Sequence, residues 1–272
     1  MHARAVRIHP RRARFLAALV LVAVAGAAHA GRACDTRPPT PARIEQGMRL
    51  AERTARALDA EYARSGTQVV VLARAGQDLS KYRLHYSHLG WAYRTPDGHW
   101  RVVHKLNQCG TAVAQIYRQG LGEFFLDDLW RHEAAWVVPT REAQQRMLPV
   151  LTDRVRAKAL HQPAYSMVSY AWGQKYQQSN QWAAETMAGA MEPATIRTRE
   201  QAQAWLRFKG YEPTALRLGP LTRLGGRVGS AHIAFDDHPN EKRFSDRIET
   251  VTVDSVFDWL QRAQLAGPIQ RL

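Results

Sequence analysis

The chain has 272 residues, with 38 lysines and arginines against 24 aspartates and glutamates, a formal net charge of +14. That length suits one sizeable domain or two small ones. The arginines are spread along the chain rather than clustered and no nucleic-acid motif is visible, so the charge points to anionic envelope surfaces and away from nucleic acid.

The chain opens with a basic leader, Arg4, Arg7, Arg11, Arg12 and Arg14, followed by the apolar run FLAALVLVAVAGAA and the small-x-small triplet Ala28-His29-Ala30. This is the layout of a secretory signal peptide, and the apolar run is too short to favour a spanning helix. Residues 1–30 are therefore expected to be removed, leaving 31–272 as a single periplasmic or secreted domain with no transmembrane segment. The leader holds no acids, so the mature chain stays basic. Cys34 and Cys109 are the only cysteines. In an oxidising compartment such a pair is expected to form one disulfide, with a free reactive Cys109 as the other reading.

The segment from Thr40 to Gly66 repeats apolar residues at helical spacing and stops at glycine, which predicts a helix. Val69-Val70-Val71-Leu72 is short, apolar and β-branched, and reads as a buried strand. Residues 86–107 read as a hairpin whose strands flank Thr95-Pro96-Asp97-Gly98, a turn by its proline and glycine. Residues 112–118 and 124–132 are expected to be short helical pieces or loops around an acidic-aromatic patch. Residues 141–160 read as helical, with Pro149 as a break or first-turn residue. A loop through His161-Gln162-Pro163 leads to a helix beginning near Ser179. Another helix covers 199–210, a strand is expected from Ser230 to Phe235, and a last helix covers 253–263. No repeats or low-complexity segments occur. The fold class is α+β, an antiparallel sheet with segregated helices packed on it.

Chemistry concentrates in three places: His88 in YSHLGWAYR, His104 in WRVVHKLN, and Ser179 in YQQSNQW. A strand places His88, Gly90 and Ala92 on one face, which leaves the histidine uncrowded. The hairpin returns His104 towards it. An imidazole oriented by a second polar group and facing a hydroxyl at a helix start supplies base, orienting group and nucleophile. The helix end adds positive potential for a developing oxyanion. Lys105 or Asn107 are alternatives to His104 as the orienting group, and Ser179 as a plain helix cap is the alternative to its role as nucleophile.

This order of motifs resembles the circularly permuted NlpC/P60 branch of papain-like hydrolases. Ser87-His88-Leu89-Gly90-Trp91 matches that group's His-Val-Gly-Ile strand, and His104 sits where its third polar residue falls. Gln178-Ser179-Asn180-Gln181-Trp182 matches the motif that opens its nucleophile helix, with Ser179 in place of the cysteine. The resemblance implies a permuted papain-like architecture and a hydrolase or acyltransferase acting on amide or ester bonds. Ser179 would attack, His88 would serve as general base, and His104 would orient it. A serine hydroxyl is less acidic than a thiol, so such a site leans harder on its base. The words SHLGWAYR, KLNQCGTA, YSMVSYAWGQKYQQSNQW and GSAHIAFDDHP also resemble an uncharacterised family of secreted bacterial proteins, domain of unknown function 2145.

Around the presumed cleft, Trp172, Tyr176, Gln178 and His232 are candidate substrate contacts. The cluster His232, Asp236, Asp237 and His238 has no recognised ligand spacing and reads as turn chemistry rather than a metal site. No cofactor is expected. The envelope setting favours peptidoglycan peptides or lipid acyl groups as substrates. A non-catalytic ligand-binding protein, with serine marking a lost active site, is the alternative.

Overall fold

A computed structural model describes residues 38–127 and 129–272. The expected leader and Cys34 lie outside them. The first helix, α1 (Pro41–Ser65), starts where the Thr40 side chain accepts from the Arg43 amide and ends at Gly66, whose φ of 72° a side chain would resist. It feeds β1 (Val69–Arg74), after which β2 (His88–Arg94) and β3 (Trp100–Asn107) form the expected hairpin. Gly98, at φ 89°, closes its turn by donating to the Thr95 carbonyl at 2.9 Å.

Residues 112–118 depart from expectation. They belong to β4 (Ala114–Gly120), an edge strand paired with β3 along its whole length. Its side chains are mostly polar and part-exposed on a half-covered edge, so it lacks the apolar run that marks the interior strands. The short helix α2 (Leu121–Phe125) follows, then β5 (Ala134–Val137) and α3 (Arg141–Thr152). Pro149 sits inside α3 without ending it; the helix stops at Asp153 instead.

The sheet has six strands in the order β4-β3-β2-β1-β5-β8, all antiparallel, with β8 (Gln270–Arg271) at its far edge. Helices cover both faces rather than segregating to one. Leu50, Ala51 and Leu58 of α1, with Phe124 and Phe125 of α2, pack on Val70, Leu72, Ala92 and Val102. On the opposite face Val69, Val71, Leu89, Trp91 and Val103 meet α3, α4 (Ser179–Met191) and α8 (Val253–Arg262). This double cover explains why β1 is buried throughout, an apolar run with no alternation.

A second, smaller unit follows α5 (Arg199–Phe208). The strands β6 (Thr214–Arg217) and β7 (Arg247–Thr250) pair as a two-stranded sheet, and α6 (Pro220–Gly229) and α7 (Asn240–Phe244) lie between them in sequence. The strand expected at 230–235 is absent. Ile233 and Phe235 pack with Leu216, Leu218 and Ile248, but the segment runs through turns and joins no strand ladder. Its apolar residues fill a small core without joining a ladder. Among the described residues no helix is long and apolar enough to cross a membrane.

Candidate functional site

Two adjacent clusters hold His88, His104 and Ser179. The first lies on the α2 face of the sheet. His88 opens β2, and its partner across β1 is Arg74. Gly90, two residues on, is packed so closely that a Cβ there would sit 2.7 Å from Val102 Cγ1 and 2.9 Å from His104 Cβ. Only glycine permits that approach. It lets the His88 Nε2 atom reach His104 Nδ1 at 2.8 Å, and His104 Nε2 in turn lies 2.8 Å from Gln119 Oε1 on β4. Phe124 stacks edge-on to His104, with ring centroids 5.2 Å apart, and closes the chain from above.

Burial, with Arg74 nearby, holds both imidazoles neutral. The His88 pKa is pushed well below the ordinary histidine value, and His104 goes down to about 3. The hydrogen bonds then assign the tautomers. Gln119 Oε1 accepts from His104 Nε2–H, so His104 Nδ1 keeps its lone pair and accepts from His88 Nε2–H. The Nδ1 lone pair of His88 is left unprotonated.

The second cluster is the start of α4. Ser179 is the first helical residue, and the cap is Gln178, whose side chain accepts from the Asn180 amide at 3.0 Å. The polar residues beside Ser179 in the chain are spent on structure. Gln178 donates to the Val251 carbonyl and Thr250, and Gln181 donates to the Tyr170 and Ala171 carbonyls. Asn180 Oδ1 accepts from the Leu89 amide at 3.1 Å, and its amide nitrogen reaches the Ser87 and Val251 carbonyls. These contacts flank His88 on either side. They are open because β3 pairs with β2 only from Trp91↔Val103 onward, and the helix start takes up the vacated position. Ser179 is 6% exposed, and its polar neighbour is the buried Tyr165 phenol, whose pKa burial raises.

The structure thus joins His88 to His104, and it ties the helix of Ser179 to the backbone on both sides of His88. His88 Nε2 hydrogen-bonds to His104 rather than to Ser179. The two imidazoles stand on the α2 face, while the body of α4, through Trp182, Ala183 and Met187, packs on the other. Lys105, the alternative orienting group, points to that other face. Its ammonium bonds the Gln162 carbonyl at 2.6 Å and Gln177 Oε1 at 2.8 Å. Burial, with Arg199 near and partly offset by Glu185, lowers its pKa to about 6. Gln177 passes on to Glu185, which is fully buried and also held by Arg199 and Gln203. This polar network anchors α4 from below.

The candidate substrate contacts are dispersed. Trp172 stacks on Tyr211 beneath Arg207 and Tyr176 lies beside Lys175, both half-buried. His232 is buried, with its Nδ1 unpartnered and its carbonyl accepting from the Met167 amide. Asp236 pairs with Lys175 at 2.5 Å, and Asp237 binds His238 at 3.0 Å and the Tyr170 amide at 2.8 Å, so these acids serve the turn. Cys109 lies exposed in the turn after β3. A groove of about 690 Å³ between α3 and α4 is lined by none of these residues.

Gln119, Tyr165, Arg74 and Phe124 went unnoticed in the sequence. The even spacing of Tyr117 and Gln119 on β4 was the available signal for Gln119. The others sit near the histidines and Ser179 only through tertiary packing.

No curated protein and no solved structure gave a significant match to the chain. A family described as an uncharacterized protein conserved in bacteria (DUF2145) matches residues 61–260, and the chain belongs to that family.

Proposed function

We propose that the protein is an exported envelope enzyme that cleaves or transfers acyl groups at amide or ester bonds, using Ser179 as nucleophile in a permuted papain-like arrangement. The observation carrying this reading is the oriented chain Gln119–His104–His88, which leaves an unprotonated Nδ1 on an uncharged imidazole. A general base needs such a lone pair, and a second polar group that fixes the tautomer is what a nucleophile–base pair requires. In this scheme substrate binding lifts the start of α4, which sits at the gap between β2 and β3, and turns the Ser179 hydroxyl from Tyr165 through that gap towards His88. Its proton passes to His88 Nδ1 as Oγ attacks the carbonyl carbon. The leaving amine or alcohol takes that proton, and water or an acceptor hydroxyl then releases the acyl group. Peptidoglycan peptides and lipid acyl esters are the substrate classes that fit an exported location, and a Cys34–Cys109 bridge belongs to the same picture. Its loop of about 75 residues would contribute roughly 4 kcal/mol in the chain-entropy model.

A second reading, a ligand-binding protein without catalysis, is favoured by the burial of Ser179 and its engagement with Tyr165. A fluorophosphonate probe separates the two. The catalytic reading expects covalent labelling of the purified protein that disappears in Ser179→Ala and drops sharply in His88→Ala. Equal labelling of wild type and Ser179→Ala removes Ser179 as nucleophile, and no labelling of the folded wild type leaves the binding reading.

A further inference from the structure

The helix α6 has an apolar stripe with nothing packed on it. Leu221, Leu224 and Val228 follow one another at helical spacing and are 84%, 60% and 81% exposed, and Phe244 on α7 is 71% exposed. Side chains of this size at such exposure are ordinary singly, but a row of them on one helix is not. The helix is held from its other side. Gly226 is buried against Ile233, where a Cβ would come within 3.2 Å, and Arg223 reaches the Arg243 carbonyl and Asp246. The stripe is therefore presented outward by a fixed helix.

The charge around it is predominantly positive. The α6 sequence PLTRLGGRVG contains no acid, and Arg217 and Arg227 are exposed without an ion-pair partner among the described residues. Arg243 stacks over Phe244, with 4.8 Å from its guanidinium carbon to the ring centroid. Asp246 is already paired with Arg223, which leaves Glu241 as the exposed acid on α7. An amphipathic helix with an aliphatic face, an aromatic beside it and arginines along the flanks has the composition that lies in the plane of a lipid interface. The arginines meet anionic headgroups while their stems remain in the apolar layer.

We propose that α6, together with Phe244, is an interfacial anchor that docks the domain onto an anionic lipid surface. This does not depend on Ser179 chemistry. A protein would need a matching apolar and acidic groove, whereas a lipid surface supplies both an apolar layer and negative charge without shape matching.

The test is co-sedimentation of the purified full chain with phosphatidylglycerol–phosphatidylcholine vesicles and with phosphatidylcholine vesicles alone. The wild type is expected to pellet with the anionic vesicles, to be released by salt, and to stay in solution with the zwitterionic ones. The triple variant Leu221→Ser, Leu224→Ser, Val228→Ser is expected to bind about 100-fold more weakly, since three aliphatic side chains lose their transfer into the acyl layer. Arg217→Gln with Arg227→Gln is expected to remove the preference for phosphatidylglycerol. These positions are exposed, so circular dichroism should not change; should the triple variant misfold, Leu221→Ser with Val228→Ser decides the matter. Equal recovery with both vesicle types, or undiminished binding of the folded variant, overturns the proposal. So does a wild-type dimer in sedimentation equilibrium that the triple variant abolishes, because the stripe would then belong to a second copy of the chain.

Discussion

Replacing Arg199 with methionine tests the packing logic beneath the site. The guanidinium is almost fully buried and makes five contacts. It donates to both Glu185 oxygens, at 2.8 and 3.1 Å, and to the carbonyls of Gln174, Gly173 and Tyr176 at 2.9, 3.0 and 3.2 Å. Methionine fills most of the volume but satisfies none of them. Stranding a buried carboxylate costs about 3–5 kcal/mol, and three carbonyls losing a donor add about 1 kcal/mol each at most. We expect a loss of about 5 kcal/mol, comparable with the whole stability of many domains. Urea unfolding followed by tryptophan fluorescence should register it as a fall in midpoint at constant slope. The partner variant Glu185→Leu, combined with Arg199→Met, should be roughly 2 kcal/mol more stable than Arg199→Met alone, because the stranded charge is gone. A loss below about 1.5 kcal/mol, or a double variant no better than the single one, would refute the view that the Glu185 network anchors α4.

Acid should weaken the fold through the two relay histidines. Their native pKa values lie below the unfolded value of about 6.5, so the unfolded chain binds protons that the native chain refuses. Their contribution is complete above pH 6.5 and declines below it, by about 2 kcal/mol for His104 alone at about pH 5, with His88 adding in the same direction. A melting temperature that does not fall between neutral and that pH would contradict the assignment of neutral imidazoles. Gly90→Ala should destabilise by about 2–3 kcal/mol, since its methyl group collides with Val102 and His104. The same change should shift the His104 ring resonances in NMR spectra. Gln178→Ala removes the helix cap and its bonds to Val251 and Thr250, and should lower stability by about 2 kcal/mol in chemical denaturation.

How much of this could be seen in the sequence varies with the kind of signal. The helix ending at Gly66, the Thr95–Gly98 turn and the strands around it announce themselves through local rules, and those elements stand where the pattern placed them. The pairing of His88 with His104 follows from strand alternation and a tight hairpin. The edge strand β4 is mostly polar and part-exposed, and β6 and β7 are only four residues long, so none of them carries a readable apolar period. Ile233 and Phe235 imitate a strand because a small core needs apolar residues whatever the backbone does. The polar run Gln177-Gln178-Ser179-Asn180-Gln181 looks like surface and is buried throughout, since its amides replace backbone partners. Nothing in local composition distinguishes the two cases; only the gap between β2 and β3 does. The same limit applies to Tyr165, whose approach to Ser179 depends on how the 161–178 loop folds back.

That gap also has a consequence for motion. The Leu89 amide, in the middle of a sheet, is protected from solvent by the Asn180 side chain rather than by a neighbouring strand. Its hydrogen exchange is therefore tied to the seating of α4, while the amides of Trp91 and Tyr93 further along β2 follow the sheet as a whole. If the helix lifts to turn Ser179 towards a ligand, Leu89 loses its acceptor at the same moment. A single backbone deuterium signal would then time the opening of the site from inside the sheet.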